Sequence, residues 1–179
     1  MAVFTVIDHT ELSGSETSWT KTSIPSSYDH LYLEFSARSD QAASYRDEIE
    51  VQLNGDTGGN YSVTQMFAVE NSSVGSQRQS GVDSIQKIYL PAASSTADTF
   101  GTGTLWIPHY ANTANYKQVL IRAACEGATT TDYQWGLAVA AGLHRPWPPL
   151  AVNQITLAPL TGTNFVQYST FTLYGVTGA

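Results

Sequence analysis

The stretches Leu31-Tyr32-Leu33-Glu34-Phe35-Ser36 and Glu48-Ile49-Glu50-Val51-Gln52-Leu53 alternate apolar and polar side chains. A period of two fits a β-strand, whose successive side chains point to opposite faces, and not the 3.6-residue stripe of an amphipathic helix. Leu31, Leu33 and Phe35 therefore face a core, as do Ile49, Val51 and Leu53. The same reading, carried along the chain, sets Val119, Ile121 and Ala123 against Gln118, Leu120 and Arg122. It sets Tyr133, Trp135, Leu137 and Val139 against Gln134, Gly136 and Ala138, and it turns Phe171 and Leu173 inward against Thr170, Thr172 and Tyr174.

Clusters of Gly, Ser, Asn, Asp and Pro at 12–16, 23–29, 54–60, 71–77, 91–98, 108–116, 126–132, 144–149 and 160–164 read as turns. Between them lie strand-length segments near 30–38, 47–53, 61–69, 83–90, 100–107, 117–125, 133–143, 151–158 and 165–176. The prediction is an all-β chain of about eight or nine strands in two packed antiparallel sheets. Gly101 and Gly103, inside a strand-like segment, predict a bulge or a close backbone approach. Residues 1–22, with an apolar patch ahead of a Ser/Thr-rich stretch, read as an edge strand or an arm reaching a neighbour, and 23–179 as a single sandwich domain.

Composition narrows the class of function. The chain has 179 residues, and only 13% of them are charged, against roughly 25% in an ordinary soluble domain. A net charge of -7 disfavours nucleic acid and anionic membrane as partners. The single Cys125 excludes an intrachain disulfide and zinc sites built on Cys pairs. No apolar run approaches the ~18 residues of a membrane span, and the opening MAVFTVIDHTEL lacks the basic and apolar regions of a signal peptide. The expectation is synthesis in the cytoplasm without export by that route.

Catalytic patterns are missing from the sequence. No Gly-x-Ser-x-Gly elbow is present, and His9, His30, His109 and His144 stand singly, with no His-Glu-x-x-His pair. Glu48 and Glu50 would share a strand face with Cβ atoms ~7 Å apart, yet their clean alternation with Ile49, Val51 and Leu53 reads as a solvated outer face. Residues 54–60 offer oxygen ligands but lack the later acid of an EF-hand and read first as a turn. No enzyme activity, cofactor or metal is therefore expected. The two sequons, at Asn60 and Asn71, carry no weight without a signal peptide.

The candidates for an interface or a ligand are loop residues: Tyr110, Tyr116, and His144, Arg145 and Trp147 of the His144-Arg145-Pro146-Trp147-Pro148-Pro149 stretch. Prolines stiffen that stretch, so Trp147 would be presented with little entropy left to lose on binding. Such aromatics either stack on sugar rings or fill inter-subunit contacts, and the sequence leaves both open.

Four runs then carry a resemblance: IPSSYDHLYLEFSARSD at 24–40, VQLNGDTGGNYSV at 51–63, FGTGTLWIPHYAN at 100–112 and ITLAPLTGTNFVQYSTFTLYGV at 155–176. In order and spacing they resemble a family of small virion structural proteins of tailed bacteriophages, over nearly the whole chain. The resemblance implies a jelly-roll-like β-sandwich in the virion, as a capsid decoration (cement) protein or as part of a tail or fibre, and supplies no catalytic residues. The chain departs from the family pattern at HRPWPPL, which is richer in proline. On this footing the expected function is that of a homotrimer on the outer capsid surface, clamping major capsid proteins through residues 1–22 and the 144–149 loop. The alternative is a tail, fibre or surface adhesin that binds host polysaccharide through loop aromatics.

Overall fold

The alternating stretches fold as the strands they predict. The structure, a computed structural model, describes residues 1–42, 44–69, 73–126 and 136–178. Twelve strands are seen among them: β1 (Val3–Glu11), β2 (Trp19–Lys21), β3 (His30–Ala37), β4 (Arg46–Leu53), β5 (Tyr61–Val69), β6 (Ser73–Val82), β7 (Ile85–Pro91), β8 (Gly101–Pro108), β9 (Lys117–Cys125), β10 (Gly136–His144), β11 (Ile155–Pro159) and β12 (Thr170–Thr177). They form an eight-stranded sheet, β1-β12-β3-β8-β9-β10-β5-β6, and a four-stranded sheet, β2-β11-β4-β7. Each pairing is antiparallel. The chain is thus an all-β, jelly-roll-like antiparallel sandwich.

The core lies between the sheets. Leu31, Leu33, Phe35, Leu105 and Ile121 from the large sheet meet Ile49, Val51, Leu53, Ile88 and Leu157 from the small one, all essentially inaccessible. Each such side chain contributes roughly 1.5–3 kcal/mol on leaving water, which lets the chain stand without a disulfide. The in/out assignments of β3, β4, β9 and β12 match the sequence reading.

On β10 the faces are reversed. Leu137 and Val139, expected inside, are exposed, while Gly136, Ala138, Ala140 and Gly142 face the core. The cause is β7, which lies across β9 and β10. A Cβ on Gly142 would sit 2.6 Å from Ile85 Cδ1, so this face must stay small and the larger residues go out. Tyr133 and Trp135, assigned to the same strand, lie outside the described residues.

Two further differences concern local backbone. Residues 73–77, read as part of a turn, belong to β6, an edge strand in register with β5 from Val69↔Ser73 to Tyr61↔Val82. Its polar sequence has no apolar face to announce it, and the ladder to β5 supplies the order. Gly103 sits in an unbroken β3–β8 register and marks a close approach without a bulge: a side chain there would run into the ring of its cross-strand partner Phe35.

Charged side chains fasten the loops. The guanidinium of Arg38 donates to the carbonyls of Ala93 (3.2 Å), Ser95 (2.9 Å), Thr96 (2.6 Å) and Thr99 (3.1 Å). Asp47 accepts from the backbone N–H groups of Thr161 (3.2 Å) and Gly162 (2.9 Å), and Asp40 from those of Thr163 (2.8 Å) and Asn164 (2.9 Å). The 92–99 and 160–164 turns are thereby tied to the sandwich through charge-assisted bonds.

The close approach of β7 to β10 makes a testable demand. Gly142→Ala is expected to destabilise the fold by about 1–3 kcal/mol through overpacking, whereas Ala141→Ser, one residue along on the exposed face, should change it by less than about 0.5 kcal/mol. Urea unfolding midpoints of the two variants decide this.

Candidate functional site

Two of the five sequence candidates are interior. Tyr110 is fully buried, and its hydroxyl donates to the Pro25 carbonyl while Val152 N–H donates to its own carbonyl at 2.9 Å. Burial pushes its phenol pKa up. It is a core anchor for the 23–29 and 151–154 segments and offers no ring to a ligand, because its apolar body is worth more inside while its hydroxyl finds a backbone acceptor.

His144 is buried as well. Its ring stacks on Tyr61, with centroids 4.5 Å apart and planes at 17°, and Nε2 lies 2.8 Å from Asp56 Oδ2. Asp56 also accepts from Gly58 N–H (2.9 Å) and from Asn60 Nδ2 (2.9 and 3.2 Å), so both of its oxygens are engaged by protein donors within the 54–60 loop. Instead of meeting a ligand, His144 packs this loop onto the end of β10.

Arg145, Tyr116 and Trp147 remain on the surface. Trp147 is 86% exposed, and Arg145 donates its backbone N–H to the Asn60 carbonyl at 2.9 Å. With two members inside the sandwich, the five residues share no exposed cleft. On the small sheet, Glu50 accepts from Ser84 Oγ at 3.0 Å, and burial raises its pKa, with Asp83 nearby adding to the shift.

The larger arrangement lies on the outer face of the eight-stranded sheet, where strand register brings residues distant in sequence into rows. One row runs Val6, Tyr174, Tyr32, Trp106, Leu120, Ala141, Thr64, Arg78. The next runs His9, Thr172, Glu34, Thr104, Arg122, Val139, Met66, Ser76. A third passes through Thr102, Ala124, Leu137, Ala68 and Val74. Directly opposed side chains on one face lie ~5 Å apart, so each row is a line of neighbours.

The face has two differing ends. Toward β1, Phe4 meets Tyr32 edge-on (5.6 Å) and Tyr174 (6.1 Å), and Tyr174 Oη donates to Glu34 Oε1 at 2.8 Å. That hydrogen bond to the carboxylate raises the Tyr174 pKa. Beside them Tyr32, Thr104, Trp106, Leu120 and Arg122 line a groove of about 360 Å³. Toward β6, Met66, Val74, Leu137 and Val139, between 45 and 78% exposed, line a shallow apolar depression of about 350 Å³. Neither end could be read from the sequence, because the groove draws on three strands, and the depression joins Met66 to Leu137 and Val139, assigned to the core, and Val74, assigned to a turn.

The buried His144 makes stability depend on pH. Burial lowers its folded-state pKa below the unfolded value of 6.5, outweighing the opposing pull of Asp56. Between those values the unfolded chain binds more protons, so this contribution is complete above pH 6.5 and is lost as pH falls through the folded pKa. Stability should decline from pH 7 toward pH 5 with a slope of at most about 1.4 kcal/mol per pH unit from this group, and His144→Gln should flatten the decline. Denaturant melts across that range test the sign.

No protein family model and no curated protein matches the chain. Among solved structures it is similar to a fructofuranosidase from Schwanniomyces occidentalis, with 11% identity and a TM-score of 0.36, over 97% of this chain and 34% of that one. The carbohydrate recognition domain of Emp47p aligns at 8% identity with a TM-score of 0.30, over 98% and 87% of the two chains. The chain thus spans about a third of the fructofuranosidase. Likeness at this level carries nothing about what this chain binds or does.

Proposed function

We propose that this chain is a non-enzymatic structural subunit of a tailed-bacteriophage virion, a capsid decoration protein that seats the apolar end of its large sheet on the major capsid protein. The carrying observation is the contiguous depression formed by Met66, Val74, Leu137 and Val139. Apolar surface of this kind on a soluble domain marks a protein contact. The whole-chain resemblance to phage virion proteins and the scarcity of charge point the same way.

The magnitudes favour a multivalent clamp. Burying four partly exposed aliphatic side chains yields roughly 4–8 kcal/mol, comparable to the ~4–15 kcal/mol lost in translational and rotational freedom on association. One copy alone would hold weakly. A homotrimer contacting several shell subunits at once turns the second and third contacts into intramolecular events and raises the avidity. Trp147 and the 1–22 segment supply further surface for contacts within the trimer or with the shell.

The aromatic end of the same face favours a second reading, a tail, fibre or capsid-surface adhesin for host polysaccharide. The rings that serve it are Tyr32 and Trp106 of the sheet, in place of the loop residue Tyr110.

Co-sedimentation with expanded phage capsids lacking this protein tests the leading reading. Wild-type chain is expected to bind, and Leu137→Lys with Val139→Lys to weaken binding by at least about tenfold without lowering the melting temperature, since both side chains are exposed. Absence of capsid binding by the wild-type chain would overturn it. Copy number in purified virions separates a capsid position from a tail or fibre one, hundreds indicating capsid and a few to tens indicating tail.

A further inference from the structure

We propose that the groove between Tyr32, Trp106 and Arg122 binds a carboxylated saccharide, a chain bearing uronate or nonulosonate residues. This rests on the adhesin reading and names its ligand class. The lining combines three kinds of group. Tyr32 and Trp106, opposed across β3 and β8 and partly exposed, offer π surface to the C–H face of a sugar ring. Thr104, one row further on, lines the groove and stands where a hydroxyl needs a partner, with Glu34 opposite it just outside the lining, its Oε1 taken by the Tyr174 hydroxyl. Arg122 completes the groove with a planar fork of donors.

Arg122 decides the class. Its side chain is exposed, and among the described residues it makes no ion pair. Its row neighbours are Thr104 and Val139, neither of which can neutralise it. A guanidinium presented beside aromatic rings matches a carboxylate in a two-bond fork. A neutral sugar would satisfy the rings and hydroxyls but leave this fork to water.

The net charge of -7 sharpens the argument, because the long-range field of the chain repels an acidic ligand. Preference for a carboxylate must therefore come from the groove itself, and among the described residues Arg122 is the one cation lining it. Removing that one charge should remove the preference, and a merely structural arginine would not behave so.

The test is binding of the full chain to an array of uronate- and nonulosonate-bearing oligosaccharides printed beside their carboxyl-reduced counterparts. Wild type is expected to bind some carboxylated members at least about tenfold more tightly than the matched neutral ones. Arg122→Gln should abolish that difference and Arg122→Lys restore part of it, with melting temperatures unchanged. Binding that ignores both the carboxylate and Arg122 would overturn the acidic assignment and leave the adhesin reading standing. Silence across the whole array, with capsid-bound protein also silent, would overturn both.

Discussion

Where β7 crosses β10, the small sheet presses large side chains onto small ones. Strand β7 lies so near β10 that Gly142 has no room for a methyl group beside Ile85, and Ala138 and Ala140 occupy the same inward face. In a chain with one cysteine and 13% charged residues, stability rests on packing of this kind, which is sensitive to a single methylene. The constraint reaches the surface too. With small residues required inside β10, its larger apolar residues Leu137 and Val139 stand outside, where they join Met66 and Val74. The depression proposed to meet the capsid is in this sense the reverse side of a closely packed part of the core.

Charge is scarce, and part of it is placed inside. Arg38 and Lys117 are buried, two of the eight cationic side chains, each directed at backbone carbonyls, and Asp47 is buried against the 160–164 backbone. These groups satisfy turn amides and carbonyls that would otherwise lack partners, which costs less than burying an unpaired polar atom. The outcome is a surface poorer in cations than the composition suggests. A solvent-facing guanidinium such as Arg122 is correspondingly conspicuous.

The sequence was legible wherever a strand had one wet and one dry face. The alternations at Leu31 to Phe35, Ile49 to Leu53, Val119 to Ala123 and Phe171 to Leu173 report burial directly, and the sheets follow from them. On β10 the same rule failed, because Gly and Ala next to Leu and Val alternate in size rather than polarity, and hydrophobicity cannot tell which set the opposite sheet will accept. Edge strand β6 has no apolar face and was indistinguishable from a turn. Tyr110 and His144 looked like loop residues because their partners, the Pro25 carbonyl and Asp56, lie far away in sequence. The outer-face groove was invisible for a related reason: Tyr32, Trp106 and Arg122 become neighbours only through the β3-β8-β9 register.

The two ends of the large sheet are set by different constraints. Strands in a sheet lie about 4.8 Å apart, and four steps separate β3 from β5, so Tyr32 and Met66 stand on the order of 19 Å apart across the face. Adjacent strands are ordinarily rotated by about 20–25°, and over four steps the outward normal turns by roughly 80–100°. An apolar end laid on a shell would then turn Tyr32 and Trp106 toward the side, while Arg122, directly opposite Val139, stands at the rim of that contact. The packing of β7 on β10 thus sets the apolar end and the register of β3, β8 and β9 sets the other, and the two meet at the Arg122–Val139 pair.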